Sequence, residues 1–164
     1  MNFVSIIMGS KSDNEIMMNC VKTLEEFDVK FELVVSSAHR SPRRTKEYIK
    51  TAEDKGAQVF ICAAGMAAHL AGYVAANTTK PVIGVPMKGG AMDGMDAMLS
   101  TVQMPSGMHV ATVALGQAGA VNAAHLAMQI LAITDKDLAV KLKEDRVVKE
   151  HKVVTDSKEI EVIL

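Results

Sequence analysis

FELVVSSAHRSP, residues 31–42, is the stretch that decides the fold. Its first half, Phe31 to Val35, is an apolar run that predicts a buried β-strand. Pro42 lies where the first turn of a following helix tolerates proline, because the N–H that proline lacks is unpaired there anyway. In an open parallel sheet the ligand crevice lies beyond the carboxyl ends of the strands. The pair His39-Arg40 therefore lies where an α/β protein usually carries its chemistry.

Two other predicted strands end in polar clusters of the same kind. Phe3 to Met8 predicts the first strand, and the segment Gly9 to Asp13 follows it. Val59 to Ala63 predicts the third strand, and His69 follows after a run of small residues. Because the carboxyl ends of parallel strands meet at one edge of a sheet, we expect the three clusters to share a pocket.

Strands and helices alternate along the rest of the chain as well. Pro81 to Val85 predicts a fourth strand, Met108 to Leu115 contains a fifth, and Ala67 to Ala76 predicts a small-residue helix between the third and fourth. This alternation predicts an α/β fold with a mainly parallel sheet, and right-handed crossovers make it a three-layer α/β/α sandwich. The stretch between Pro86 and Gly107 predicts a loop with a short helix, serving either the active site or a subunit contact.

The length of 164 residues favours a single domain, residues 1–164. We predict a core from about residue 3 to 134, a charged C-terminal helix over 135–150, and a tail over 151–164 without an assigned structure. Gln117 to Ile133 predicts a helix that is small and apolar nearly all round. Such a helix is buried on all sides, which in a domain of this size implies a neighbouring subunit and hence a homo-oligomer.

Composition excludes several classes of protein. The net charge is -1 with Lys and Arg spread along the chain, so no nucleic-acid partner is expected. No apolar run approaches the roughly 20 residues that span a bilayer, so no membrane association is expected either. No secretory signal peptide is expected, because the apolar run from Phe3 to Met8 is too short and lacks a basic flank. The two cysteines, Cys20 and Cys62, read as buried thiols of a cytoplasmic protein rather than a disulfide framework.

The turn after the first strand is a candidate phosphate site. Backbone N–H groups at a strand-to-helix turn attract anions, and Ser10 and Ser12 add hydroxyl donors. Asp13 would repel phosphate but could bind ribose hydroxyls. The alternative is a simple helix N-cap. Neither the Walker pattern nor G-x-G-x-x-G follows the first strand, which disfavours P-loop enzymes and dinucleotide dehydrogenases.

The histidines are candidate acid–base groups. His39 can give and take a proton near neutral pH, and Arg40 offers a rigid fork for phosphate or carboxylate. The alternative is an ordinary solvated pair. His69 lies four residues after Gly65, whose missing side chain would let a ligand approach the backbone; the alternative is a buried, hydrogen-bonded histidine. No set of ligands has metal-binding spacing, so no metal site is predicted.

Taken together, six separated segments between about Phe3 and Asp137 resemble the PurE family of purine biosynthesis. They are Met8 to Asp13, Ser37 to Arg40, Ala64-Gly65 with Ala67 to Leu70, Gly84 to Pro86, Val102 to Pro105, and Gly116 to Ala123. The resemblance implies a flavodoxin-like fold and a homo-octamer.

Two classes of activity exist in that family. Class I members are mutases that move a carboxylate from the exocyclic nitrogen of carboxyaminoimidazole ribonucleotide to the adjacent ring carbon, whereas class II members carboxylate aminoimidazole ribonucleotide directly. The segments around His69 and Gln103 resemble class I. The chain differs from the usual class I pattern at Met66, where glycine is usual, and at Ala71 and His109, where proline is usual.

For this chain the resemblance implies an isomerase in which His39 acts as general acid and then as general base, with His69 as a second catalytic residue. Ser10, Ser12, Asp13 and Arg40 would hold the ribose phosphate, and small residues from Ala64 to Ala68 would trap carbon dioxide. The other predicted substrate-binding residues are Ser37, Ala38, Gly65 and Leu70. No metal, nucleotide or biotin cofactor is required. The alternatives are a direct carboxylase and a non-catalytic module that binds a phosphorylated ligand.

Overall fold

The structure is a computed structural model that describes residues 2–163. Strands and helices alternate along it. They are β1 (Phe3–Met8), α1 (Asn14–Glu26), β2 (Phe31–Val35), α2 (Pro42–Lys55), β3 (Ala57–Gly65), α3 (Leu70–Ala75), β4 (Val82–Met87), α4 (Met95–Val102), β5 (Ala111–Thr112), α5 (Gly116–Leu131) and α6 (Lys136–Ile160). One turn of 3₁₀ helix, Lys11–Asp13, joins β1 to α1.

The sheet confirms the predicted α/β class. Its five strands all run parallel, in the order β2-β1-β3-β4-β5. This is the flavodoxin-like order, and it reverses direction between β1 and β3. A crevice is therefore expected at the carboxyl ends of β1 and β3, between the loops that leave the sheet in opposite directions.

The core fills both faces of the sheet, because successive strand residues point to opposite sides. On one face, Ile7 and Phe60 belong to a buried cluster that includes Ile49 of α2 and Val74 of α3. Their neighbours Ile6 and Ile61 are fully buried as well and point to the opposite face. On that face α1 and α5 contact each other: Gln117 Nε2 donates to Asn19 Oδ1 over 3.4 Å, and the Phe27 and His125 rings meet edge to face.

The prediction that Phe31 to Val35 is a buried strand is wrong in one respect. The strand forms, but it is the edge of the sheet, and Val35 is 42% exposed. An apolar run indicates that a segment can pack as a strand of a sheet. It does not indicate whether another strand will pair with the free edge of that strand.

Several element boundaries differ from the predicted ones. β4 continues through Pro86 to Met87, whereas β5 is limited to Ala111–Thr112 at the other edge of the sheet. α3 begins only at Leu70, so the small residues before it form a loop. α6 continues to Ile160, through most of the segment for which the sequence suggested no structure.

Two compact units divide the chain near Met128. The first contains the whole sheet, α1 to α4 and most of α5. The second begins at Gln129 and contains α6, whose N-cap Asp135 accepts a hydrogen bond from the Leu138 N–H over 3.0 Å. None of the helices within residues 2–163 combines the length and the apolar character that a membrane crossing requires.

The chain's own core covers more of the surface of α5 than the sequence indicated, which leaves less of the helix for a neighbouring subunit. Ala120, Ala124 and the residues in line with them are buried within the chain itself, whereas Gln117, Ala118 and Asn122 are exposed. Gly119 lies so close to the backbone of Ala114 that a β-carbon there would collide with the Ala114 carbonyl. Only one stripe of the helix therefore remains for a subunit contact.

Candidate active site

A cavity of about 510 Å³ opens at the carboxyl edge of the sheet. Its walls come from the segments that follow β1, β2, β3 and β4, and the switch between β1 and β3 lies at its centre. The predicted catalytic and substrate-binding residues all line this one cavity: Ser10, Ser12, Asp13, Ser37, Ala38, His39, Arg40, Gly65, His69 and Leu70. Of the segment predicted to trap carbon dioxide, Ala64 to Ala67 line the cavity, whereas Ala68 is buried and is not among its lining residues.

The turn after β1 forms the first wall. Ser10 Oγ accepts hydrogen bonds from the Ser12 N–H over 3.3 Å and the Ser12 hydroxyl over 2.9 Å, so Ser10 caps the 3₁₀ turn. Ser10 is therefore the N-cap of this 3₁₀ turn but not of α1. Asp13 makes no side-chain cap to α1. Burial raises the pKa of the Asp13 carboxyl, and hydrogen bonds from Ser10 and Ser12 offset part of that rise.

The loop after β2 is held by its own hydrogen bonds and reaches across to the first wall. Ser41 Oγ donates to the Ser37 carbonyl over 3.1 Å and accepts from the Ser37 N–H over 3.1 Å. The Arg40 N–H donates to Ser37 Oγ, and Arg40 Nη2 donates to the Gly9 carbonyl over 3.0 Å. Because that acceptor is neutral and no carboxylate pairs with Arg40 among the described residues, its positive charge is available to an anion in the cavity.

The two predicted catalytic histidines face each other. The His39 and His69 ring centroids lie 5.2 Å apart, with 33° between the ring planes. His69 also meets the edge of Tyr73 at 5.9 Å, and the Tyr73 hydroxyl donates to the Pro42 carbonyl over 2.9 Å. This chain of contacts holds the start of α3 against the start of α2. Both histidines are exposed, so the alternative of a buried, hydrogen-bonded His69 is wrong.

The loop after β3 contains Met66, one of the three positions at which the sequence differs from the PurE pattern, and this loop lines the cavity. Met66 has φ of 52°, in the left-handed region, and its carbonyl accepts the Ala68 N–H over 2.8 Å. For a residue with a β-carbon this conformation costs roughly 1–2 kcal/mol, whereas glycine adopts it freely. The glycine that the PurE pattern usually has at this position would adopt the conformation without this cost.

The end of β4 forms a fourth wall, which the sequence reasoning assigned only as an open choice between the active site and a subunit contact. Met87, Lys88, Gly89 and Gly90 all line the cavity. The signal that could have identified them is the one that identified the other walls, since they directly follow a predicted strand.

The charges and sizes of the lining residues define what the cavity can hold. Of the described residues around it, Arg40 and Lys88 are the permanent cations and Asp13 the carboxylate. Hydroxyls cluster beside Arg40, whereas the end of β3 and the loop after it contribute Ala64, Gly65 and Ala67 together with larger side chains such as Met66. An anion suits the first side and a small neutral molecule the second. Within residues 2–163, no three His, Cys, Asp or Glu side chains come together as a metal site would need.

Comparison with known proteins points to one family. The family described as AIR carboxylase matches residues 3–152. The chain is 54% identical over 143 residues to the N5-carboxyaminoimidazole ribonucleotide mutase of Bacillus subtilis, which covers 87% of this chain and 88% of the relative. The enzyme of the same name from Pyrococcus abyssi is 52% identical over 143 residues, covering 87% and 81%. The crystal structure of Treponema denticola PurE is similar at a TM-score of 0.89 and 27% identity, covering 99% of this chain and 100% of that one.

Proposed function

Because this chain belongs to the AIR carboxylase family, we propose that it acts as an N5-carboxyaminoimidazole ribonucleotide mutase, an isomerase of purine biosynthesis. The observation that carries the proposal is the pairing of His39 and His69 in one cavity with the cation of Arg40 and a hydroxyl-rich turn. Such a site can hold a ribose phosphate on one side while a proton moves on the other.

The first half-reaction breaks the bond between the exocyclic nitrogen and the carboxylate carbon. The electron pair of that bond stays on the nitrogen, and His39 as imidazolium donates a proton to it. The products are aminoimidazole ribonucleotide and carbon dioxide, and His39 becomes neutral. The backbone from Ala64 to Ala68, of which all but Ala68 line the cavity, would hold the carbon dioxide.

The second half-reaction forms the carbon–carbon bond. The electron-rich ring carbon attacks carbon dioxide and becomes tetrahedral, still bearing its proton. Neutral His39 removes that proton, the ring recovers its aromaticity, and His39 returns to the imidazolium state in which it began. One histidine that serves as acid and then base suits a reaction without net proton change. The scheme uses no metal, nucleotide cofactor or biotin.

Binding keeps the two fragments together between the steps. Arg40, Ser10 and Ser12 would hold the phosphate, and Asp13 would accept hydrogen bonds from the ribose hydroxyls. Lys88 and His69, which also line the cavity, would contact the carboxylate. The other predicted contacts come from Ser37, Ala38, Gly65 and Leu70. Fixing the ring near its carbon dioxide replaces a bimolecular recapture with a local one.

We also infer a cytoplasmic, single-domain homo-oligomer, with the number eight suggested by the family resemblance. The exposed stripe of α5 around Ala118 supports a subunit contact, and so do Met95, Leu99 and Val102, which are about half exposed on one side of α4. Apolar side chains at helical spacing are typical of a surface that a partner covers.

Direct carboxylation of aminoimidazole ribonucleotide is the second candidate, because the matching family carries the name of that reaction. The test presents the enzyme with carbamate whose carboxylate is isotopically labelled, in excess unlabelled bicarbonate, and separately with aminoimidazole ribonucleotide plus bicarbonate. A mutase turns over the carbamate faster and retains label above the enzyme-free control. Faster turnover of the second pair, with complete loss of label from the first, would establish the carboxylase instead.

A further inference from the structure

Tyr73 lies behind the two histidines of the cavity and contacts one of them directly. It is not among the residues that line the cavity, and it is partly buried against the core cluster. Its ring meets the His69 ring edge to face, with 5.9 Å between the centroids and 85° between the planes. The Tyr73 N–H also donates to the His69 carbonyl over 2.8 Å. The backbone and the side chain of one residue therefore both fix the position of His69.

Ring contacts orient the His69 imidazole. A functional histidine is usually oriented by a hydrogen bond from one ring nitrogen to a carboxylate or a backbone carbonyl. Among the described residues, the contacts that orient the His69 ring are instead the His39 ring, at 5.2 Å between centroids, and the Tyr73 ring. The direction in which His69 points therefore depends on Tyr73.

The Tyr73 hydroxyl connects the same residue to the segment that contains His39. It donates to the Pro42 carbonyl over 2.9 Å. Pro42 is the first residue of α2 and lies three residues after His39. Tyr73 thus contacts His69 through its ring and the start of α2 through its hydroxyl, so one side chain holds the two segments that contain the imidazoles.

We propose that Tyr73 is a positioning residue for the reaction, which holds the His69 imidazole against His39 and directs it into the cavity. The inference rests on the proposed mutase function, in which His69 contacts the carboxylate while His39 moves the proton. A displacement of about 1 Å in such an arrangement lowers turnover by about 10²-fold. Because the proposed phosphate contacts of Arg40 and Ser10 do not involve Tyr73, its loss should affect turnover more than ribonucleotide binding.

Steady-state kinetics with the carbamate as substrate separate the ring from the hydroxyl. Tyr73→Leu removes both, and we expect kcat to fall about 10- to 100-fold while KM changes by less than about three-fold. Tyr73→Phe keeps the ring that contacts His69 and removes only the hydroxyl that reaches Pro42, so it should recover most of that loss.

The chain's other tyrosine, Tyr48, provides the matched control. Its hydroxyl pairs with Ser5 Oγ over 2.9 Å, and Tyr48 does not line the cavity. Tyr48→Phe therefore removes a hydrogen-bonded phenol hydroxyl without a contact to either histidine, and its kcat should match that of the parent.

A double-mutant cycle tests whether Tyr73 acts through His69. Tyr73→Leu should lower kcat by about ten-fold or more in the parent and by less than about two-fold in the His69→Asn background, where no imidazole remains to be positioned. A general loss of packing would lower kcat equally in both backgrounds. Equal losses would therefore exclude the positioning role, and so would a parental kcat in Tyr73→Leu.

Chemical modification gives a readout that does not depend on the reaction. Diethyl pyrocarbonate acylates exposed imidazoles, and peptide mass spectrometry gives the rate for His69 relative to His109 in the same sample. His109 is exposed and lines a different cavity, so it serves as the internal reference. Without the Tyr73 ring one side of His69 is uncovered, and the ratio should rise several-fold in Tyr73→Leu but stay near the parental value in Tyr73→Phe. An unchanged ratio in Tyr73→Leu would exclude the contact.

The two assays separate this inference from the proposed function. If the parent enzyme does not convert the carbamate, the mutase proposal fails, and the modification ratio still decides whether Tyr73 orients His69. If the parent converts the carbamate and Tyr73→Leu has equal effects in both backgrounds, the mutase proposal stands and the positioning role is excluded.

Discussion

His39→Asn should abolish most turnover and leave both the fold and ribonucleotide binding in place. His39 is exposed, and its ring contacts His69 at 5.2 Å. Removing it should therefore change the free energy of unfolding by no more than about 0.5 kcal/mol. Asparagine keeps a donor near the position of Nδ1 but cannot carry a proton between two atoms of the substrate.

The magnitude follows from the number of steps that use the imidazole. A positioned acid or base contributes roughly 10²- to 10⁴-fold. His39 protonates the nitrogen in one half-reaction and deprotonates the carbon in the other. Both half-reactions should therefore become slower when the imidazole is removed. We expect turnover to fall by about 10³- to 10⁴-fold, equivalent to about 4–5.5 kcal/mol of barrier. The nearby His69 is the group that could reduce this loss, so His69→Asn in the same background should remove any residual rate.

The assay is single turnover of the carbamate, with the two carboxylated ribonucleotides separated by chromatography and binding measured separately by calorimetry. His109→Asn is the matched control, since His109 is also exposed but lines a different cavity of about 660 Å³ beside Thr78 and Lys80. A His39→Asn rate above about a tenth of the parent would remove His39 from the proton transfer. Equal losses in the control would point to a general effect of substitution.

Three further substitutions test the binding, the electrostatics and the assembly. Arg40→Ala should weaken binding of the phosphorylated ligand by about 1.5–3 kcal/mol and of the nucleoside much less; equal losses in titration calorimetry would show that Arg40 does not hold the phosphate. Burial raises the pKa of Asp13 above 3.8, so its contribution to stability is present below that pH and is lost as pH rises through the folded-state pKa. Asp13→Asn should therefore be more stable than the parent at pH 7 but not below about pH 3.8, and a pH-independent difference in urea unfolding would contradict this. Ala118→Glu, at an exposed position of α5, should lower the mass measured by light scattering, and an unchanged mass would exclude this stripe as the interface; Ala120→Glu is unsuitable because Ala120 is buried in its own chain.

Local sequence patterns predicted the class of fold and the loops whose residues line one cavity. An apolar run, a polar loop and a helix start can all be recognised from residues that are adjacent in the chain, as in Phe31 to Pro42. Once parallel strands are accepted, all such loops must meet at one edge of the sheet. The predicted residues of three separate loops, from Ser10 to His69, therefore line one cavity.

The same patterns did not indicate which loops would be neighbours. Strand order depends on pairings such as Val4 with Phe31 and Gly65 with Met87, between residues that lie far apart in the chain. That order makes β2 an edge strand and adds Lys88 to the site.

The sequence by itself determined the alternation of strands and helices and the chemistry at each strand end, because both depend on residues that are adjacent in the chain. The tertiary structure alone decided that Met66 adopts a left-handed conformation and lies over Gly90, because that contact exists only once β3 and β4 are paired. It also decided which face of α5 is covered by the chain's own core. The spacing of apolar residues indicates that a helix has an apolar surface, but it does not indicate which element packs against that surface.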